Sequence, residues 1–186
     1  MKVLLLGFLL WSATGSAAGP AVQAPPTEIK GPLGDPRIVV HKSSRELWLY
    51  EGEIVVRRFP VGLGFAPEGH KAREGDGATP EGRYTVCVKN PQSRYHLSLG
   101  LDYPGRSDAE RGLGAGRITA DQHARIVDAL ERGVCPPWDT PLGGEIYIHG
   151  RGSAADWTLG CVALDDPDIE TLFRAVGVGT SVEIRP

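Results

Sequence analysis

The chain has no block of like charges. Its 20 Lys and Arg stand against 23 Asp and Glu, giving a net charge of -3 over 186 residues. Nucleic-acid binding needs clustered cations, so that class is excluded. Long apolar runs are missing too. Val3 to Trp11 is an apolar run too short for a spanning helix, so no stable membrane span is expected. Cysteine is scarce: Cys87, Cys135 and Cys161 are all there is. An odd count excludes a fully paired disulfide framework. A zinc site needs about three protein ligands, and only His149, Cys161 and His96 offer themselves, so no metal is expected. No phosphate-binding or dinucleotide spacing of glycines occurs, and no cofactor is expected.

What the chain has in quantity is glycine (25) and proline (15). That excess predicts many turns and a mostly β fold. Lys2, the apolar run and small residues at Ser16 and Ala18 make residues 1–18 a secretory signal, cut before Gly19. Export across the inner membrane to the periplasm follows as an expectation. Residues 19–36 carry five prolines and read as an extended linker with no part in the core. One domain over residues 37–186 remains.

Three strand-like runs open it: Ile38 to Val40, Glu46 to Tyr50 and Glu53 to Val56, an expected β-meander. A glycine-rich connection, Phe65 to Glu81, reads as a structured loop beside the site. Arg83 to Lys89 and Tyr95 to Leu101 are further strands. In the second, alternation puts His96, Ser98 and Gly100 on the polar face. Residues 103–118 read as polar loop. Thr119 and Gln122 form a capping box for a helix that Gly133 stops. A second helix is expected after Asp166, with Pro167 at its first position, and Ser181 to Ile184 as a closing edge strand. The fold class is thus a mostly β sandwich with two short helices.

Two further runs carry the chemistry. Glu145 to Gly150 alternates and ends in His149-Gly150; Leu159 to Leu164 follows with Gly160-Cys161 at its head. Strands ending and starting side by side bring His149 and Cys161 together. A thiol needs a base to act as a nucleophile near neutral pH, and imidazole serves. Gly160 leaves room for a carbonyl to approach the amides of residues 159 to 161, a candidate oxyanion hole. If Cys161 is the nucleophile, Cys87 and Cys135 are left to bridge; the alternative, two unpaired thiols, is decided by their Cα separation. His96 is a candidate for binding a substrate carboxylate, or a surface residue. Arg94 and Tyr103 are candidates of the same kind, and Trp157 could wall the site. His41, His70 and His123 read as surface or packing residues.

His149-Gly150 followed by Thr158-Leu159-Gly160-Cys161-Val162 resembles the L,D-transpeptidase catalytic domain family, the YkuD type. The likeness extends to Arg45 to Tyr50, to Gly75 to Tyr84 and to Pro141 to Gly150, so it covers about residues 37 to 186. It implies a YkuD-like fold and a peptidoglycan stem peptide as substrate. Cys161 would form a thioester with a tetrapeptide stem and pass it to an amine. His149 would shuttle the proton, the Gly150 carbonyl would orient the imidazole, and the amides of Gly160 and Cys161 would hold the oxyanion; Thr158 belongs to the same motif. Leu159 and Ala163 stand where many relatives carry histidine and arginine. The Asp156-Trp157-Thr158 and Cys-Val-Ala-Leu pattern is similar to a proteobacterial branch related to YafK. Some relatives there are hydrolases that release envelope protein from peptidoglycan. A thiol hydrolase, with a peptidoglycan-linked envelope protein as partner, is therefore the alternative, and a non-catalytic wall-binding module the third reading. N-terminal sequencing of the exported protein is expected to begin at Gly19; an intact Met1 would count against the signal.

Overall fold

A computed structural model describes residues 29–186; the expected signal, residues 1–18, lies outside them. Eight strands and three helices follow one another: β1 (Pro36–His41), β2 (Glu46–Glu51), β3 (Ile54–Pro60), β4 (Gly82–Ser93), β5 (His96–Leu101), α1 (Arg106–Gly114), α2 (Ala120–Glu131), β6 (Tyr147–His149), β7 (Val162–Ala163), α3 (Asp166–Ala175) and β8 (Ser181–Arg185). The strands form one sheet in the order β3-β2-β1-β8-β4-β5-β6-β7. The sheet curls until its two ends meet. Gly62, just past β3, exchanges two backbone hydrogen bonds with Ala163 of β7, at 2.9 and 2.8 Å. Inside the curl, Ile38, Leu47, Leu49, Val86, Leu99 and Ile148 have no exposed surface. Burial of such alternating side chains drives the fold.

The mostly β expectation holds, with three differences. A third helix, α1, occupies part of the stretch read as loop. Its apolar content is small, so periodicity could not find it. Asp108 secures its start instead, accepting from the Gly105 amide (2.8 Å) and the Tyr84 hydroxyl (3.1 Å). Ala109 then packs with Ile118, Ile126 and Leu142 in a small second core shared with α2. The closing strand β8 is central rather than at an edge: it runs parallel to β1 and antiparallel to β4. Val182 and Ile184 are buried, but nothing in five residues announces pairing on both sides. The region expected to stay outside the core enters it from residue 29 on. Ile29 and Leu33 pack against the main core, and the Leu33 amide donates to the Ala175 carbonyl at 2.9 Å.

The helix caps behave as local chemistry requires. Thr119 and Gln122 cap α2 reciprocally, at 3.2 and 3.0 Å. For α3 the cap is Asp165, one residue before the expected one, so Pro167 is second in the helix. Both acids there serve the site loop: Asp165 accepts from the Ser153 amide (3.0 Å) and Asp166 from the Arg151 amide (2.8 Å). Cys87 and Cys135 are joined by a disulfide with a Cα separation of 5.2 Å, and Cys161 is the free thiol.

The glycine-rich connection is the floor on which Gly160, the residue before Cys161, rests. Lys42 is buried and donates to the carbonyls of Gly69 and Thr79 and to Glu81. Thr79 accepts from the Gly64 amide at 2.9 Å. Asp76 gathers the amides of Ala72, Arg73 and Ala78 (2.7, 2.9 and 3.1 Å) and the Lys71 ammonium (2.9 Å). Burial alone would raise its pKa; the Lys71 bond and the three amides outweigh that and hold it at about 2. A depressed carboxylate stabilises the fold above its unfolded pKa and loses that contribution as pH falls toward the folded one. Asp76→Asn is therefore expected to lower unfolding free energy by about 2 kcal/mol at pH 7. The gap should close as pH drops from about 4 toward 2. Urea titrations at the two ends of that range read it. In the unreduced, unfolded protein a thiol reagent should find one cysteine; finding three would remove the disulfide.

Candidate active site

Strands β6 and β7 are parallel, with Ile148 opposite Val162 and His149 opposite Ala163. Cys161 therefore enters one step ahead of β7, beside Tyr147. The Tyr147 amide donates to Cys161 Sγ and the thiol donates to the Glu145 carbonyl, each at 3.4 Å. The thiol lies over residues 145–147, and His149 follows on the same segment. His149 is buried, and its Nδ1 donates to the Gly150 carbonyl at 2.7 Å. That bond places the proton on Nδ1 and the lone pair on Nε2, the form a general base needs.

Two glycines are required by close approach. The Gly150 amide donates to the Tyr95 carbonyl at 3.1 Å, and a Cβ there would sit 2.5 Å from Asp166 Oδ1. Gly160 has φ of 130°, which disfavours a side chain, and its Cβ would lie 2.7 Å from the Ala78 carbonyl. The loop under Gly160 is thus the one that Asp76 folds. Thr158 organises the approach to Cys161: its hydroxyl donates to the Cys161 carbonyl at 2.8 Å and accepts from the Gly160 amide at 3.1 Å. The Gly160 amide is therefore engaged within the loop, which corrects its expected place in an oxyanion hole.

Aromatic rings wall the imidazole. Tyr95 stacks on His149 with centroids 4.5 Å apart, and Trp157 meets it edge-on at 5.7 Å. Trp157 is pinned by a bond from its indole nitrogen to the Gly152 carbonyl at 3.1 Å. Arg94 lies over Tyr95 at 4.8 Å and donates to its hydroxyl at 2.8 Å. Arg45 and Asp156 tie the base of this loop to the start of β2, at 2.8 Å, and Asp156 also accepts from the Leu63 amide.

The fold brings Cys161, His149, Gly150, Gly160, Thr158, Trp157 and Arg94 together. It does not bring two others. Tyr103 is wholly buried and donates to the Leu142 carbonyl at 3.1 Å, so it is a core residue. His96 turns to α3, where Nε2 pairs with Glu170 at 2.8 Å. The register of β4 with β5 shifts before His96, and His96 itself has φ of 74°. Strict alternation therefore fails there, and Tyr95, expected on the apolar face, takes the place at the imidazole. His70 and His41 do pack: His70 accepts from the Glu81 amide at 3.0 Å, and His41 lies 4.6 Å from the Trp48 ring. Lys71 was not legible: it is buried, held by Asp76, and close enough for its charge to act on the thiol. Among the described residues no three His, Cys, Asp or Glu side chains converge as a metal site would need.

Burial sets the resting protonation. It pushes the Cys161 thiol up to about 11, against the Tyr147 amide, Lys71 and Arg94. It pushes the His149 imidazole down, against the Gly150 bond and with Arg94 adding to the fall. At pH 7 the pair is a neutral thiol beside a neutral base.

Residues 35–184 match the family model described as the L,D-transpeptidase catalytic domain, YkuD. No curated protein matches the chain. Among solved structures, the helical cell shape determining protein Pgp2 from Campylobacter jejuni is 22% identical with a TM-score of 0.53, over 87% of this chain and 52% of that one. Bd1075 of Bdellovibrio bacteriovorus is 20% identical with a TM-score of 0.54, over 86% and 52%. At these identities the likeness concerns the fold, and the chain spans about half the length of either solved chain. With the family model covering most of its length, the chain belongs to the L,D-transpeptidase catalytic domain family, YkuD type.

Proposed function

We propose that the protein is a cysteine L,D-transpeptidase acting on peptidoglycan stem peptides in the periplasm. The observation that carries this is the buried His149, its Nδ1 held by the Gly150 carbonyl, on the short strand whose Tyr147 amide donates to the free Cys161 thiol. A wall-binding module needs neither the tautomer nor the thiol.

In the first half-reaction Cys161 Sγ attacks the stem carbonyl carbon as His149 Nε2 takes the thiol proton. The Cys161 amide is the donor proposed for the oxyanion, since the Gly160 amide is engaged by Thr158. One such donor is worth on the order of 100-fold in rate. The C–N bond then breaks, and Nε2 returns the proton to the leaving amine. In the second half an acceptor amine attacks the thioester, its proton passes to Nε2, and the thiolate leaves with that proton restored. Water in place of the amine gives hydrolysis at the same carbonyl, which is how a relative that frees an envelope protein from the wall would work. Because both groups rest neutral, proton transfer accompanies attack rather than preceding it.

Incubating the mature protein with a tetrapeptide muropeptide, with and without an acceptor amine, tests the reading by product mass. Crosslinked dimer is the expected product with acceptor; tripeptide alone would assign hydrolysis. Cys161→Ala should abolish both, and His149→Ala should cost about 100-fold or more. Alkylation of Cys161 by iodoacetamide should climb steadily from neutral pH toward an inflection near 11. A plateau between roughly pH 5 and 8 would instead reveal a preformed thiolate–imidazolium pair. On the acid side, kcat/KM should fall only below the usual imidazole range, since the lowered His149 stays neutral there.

A further inference from the structure

In the reaction proposed above, attack by the thiol leaves a cation on His149. Sγ gives its proton to Nε2, and the imidazolium persists until the leaving amine takes that proton. His149 is 2% exposed, so little water reaches the charge. No carboxylate among the described residues pairs with it. Nδ1 bonds the neutral Gly150 carbonyl. Burial already disfavours the charged form, and the charge of Arg94 opposes it too. Tyr147 and Cys161 rest neutral, since burial raises both. Acids of α3 are engaged elsewhere: Asp166 with the Arg151 amide, Asp165 with Ser153 and Glu170 with His96. A buried cation without a counterpart is costly.

What faces the imidazole is the Tyr95 ring. The two stack with centroids 4.5 Å apart and planes 23° from parallel, so the π face of Tyr95 is turned to the ring that becomes cationic. A cation within about 6 Å over an aromatic face is attracted by it, most strongly where water is excluded. Trp157 meets both rings, 5.7 Å from His149 and 5.9 Å from Tyr95. Tyr95 also holds the partner of Nδ1, because its backbone carbonyl accepts from the Gly150 amide at 3.1 Å. One residue thus grips both members of the His149–Gly150 pair, the imidazole by its ring and Gly150 by its backbone. Tyr95 is itself braced. Its amide donates to Ser93 Oγ at 3.1 Å, and its hydroxyl accepts from Arg94 at 2.8 Å.

We propose that Tyr95 is the positioning residue of the base: stacked on His149, its ring fixes the imidazole plane and its π face stabilises the imidazolium, the part a carboxylate plays in a Ser-His-Asp site. This rests on the transpeptidase reading above and adds where the transient cation finds its counterpart. Arg94 braces the ring, but its own charge opposes the cation, so the stabilisation comes from the ring.

Replacing Tyr95 by phenylalanine, and then by phenylalanines of rising fluorine content, tests this in the mature protein. Fluorine drains the negative π face while the ring keeps its shape. Acylation by a tetrapeptide muropeptide is followed by intact mass. Tyr95→Phe should stay within about threefold of the wild type in kcat. The pentafluorinated ring should cost about tenfold in kcat with KM unchanged. Thermal melts matching Tyr95→Phe exclude misfolding as the cause. NMR titration of the His149 ring reads the cation without substrate. Its midpoint should move to lower pH along the series, because a weaker π face destabilises the protonated form. A ring that only fills space predicts no movement. Loosened packing predicts the opposite, since entering water relieves burial and raises the midpoint. Either of those results, or a kcat indifferent to fluorine, would overturn the proposal. No acylation by the wild type would overturn the transpeptidase reading instead, and the titration would then decide the role of the ring by itself.

Discussion

The hydrogen bond from His149 Nδ1 to the Gly150 carbonyl is the constraint on which the site depends. An imidazole can act as base through Nε2 only if its other nitrogen keeps the proton, and a backbone carbonyl is a fixed acceptor. Keeping that carbonyl in place takes contributions from four segments. Gly150 is held by Tyr95, crowded by Asp166, followed by an Arg151 amide that Asp166 accepts, and preceded by a strand paired on both sides. A side chain at position 150 would displace the Asp166 carboxylate. The capping of α3 and the orientation of the base are thus one arrangement.

Cys161 has a matching but separate support. Gly160 lies directly on the Ala78 carbonyl; the Ala78 amide donates to Asp76, and the next residue, Thr79, accepts from the Gly64 amide. Lys42 and Lys71 neutralise the polar groups of that loop from within the protein. Closure of the sheet through Gly62 and Ala163 then sets this floor against the strand that carries His149. Thiol and imidazole come from adjoining strands, but each is held by a different surface loop.

The pair itself was legible in the sequence because its spacing is local: two alternating runs, one polar loop and a glycine on each side. The meander and α2 were legible for the same reason, since turn residues and a capping box are written in consecutive positions. What alternation could not supply was parity across an irregular turn. A left-handed His96 and a register shift exchanged the roles of Tyr95 and His96. Tyr103 looked like a polar aromatic near the site but is fully buried, since its hydroxyl finds the Leu142 carbonyl inside the core. Helix α1 and the central place of β8 depend on partners far along the chain, and no window of sequence contains them.

Leu159 and Ala163 acquire different meanings once their places are known. Ala163 is fully buried between His149 and Gly62, so a long cation there would have to leave through the closure of the sheet. The cations that lower the thiol pKa come instead from Arg94 and Lys71, on segments outside the motif. Leu159 is 71% exposed, near Phe65 and Trp157, which are also exposed and flank Thr158 in backbone contact and in sequence. An apolar rim beside Cys161 offers no hydrogen bond to an incoming group.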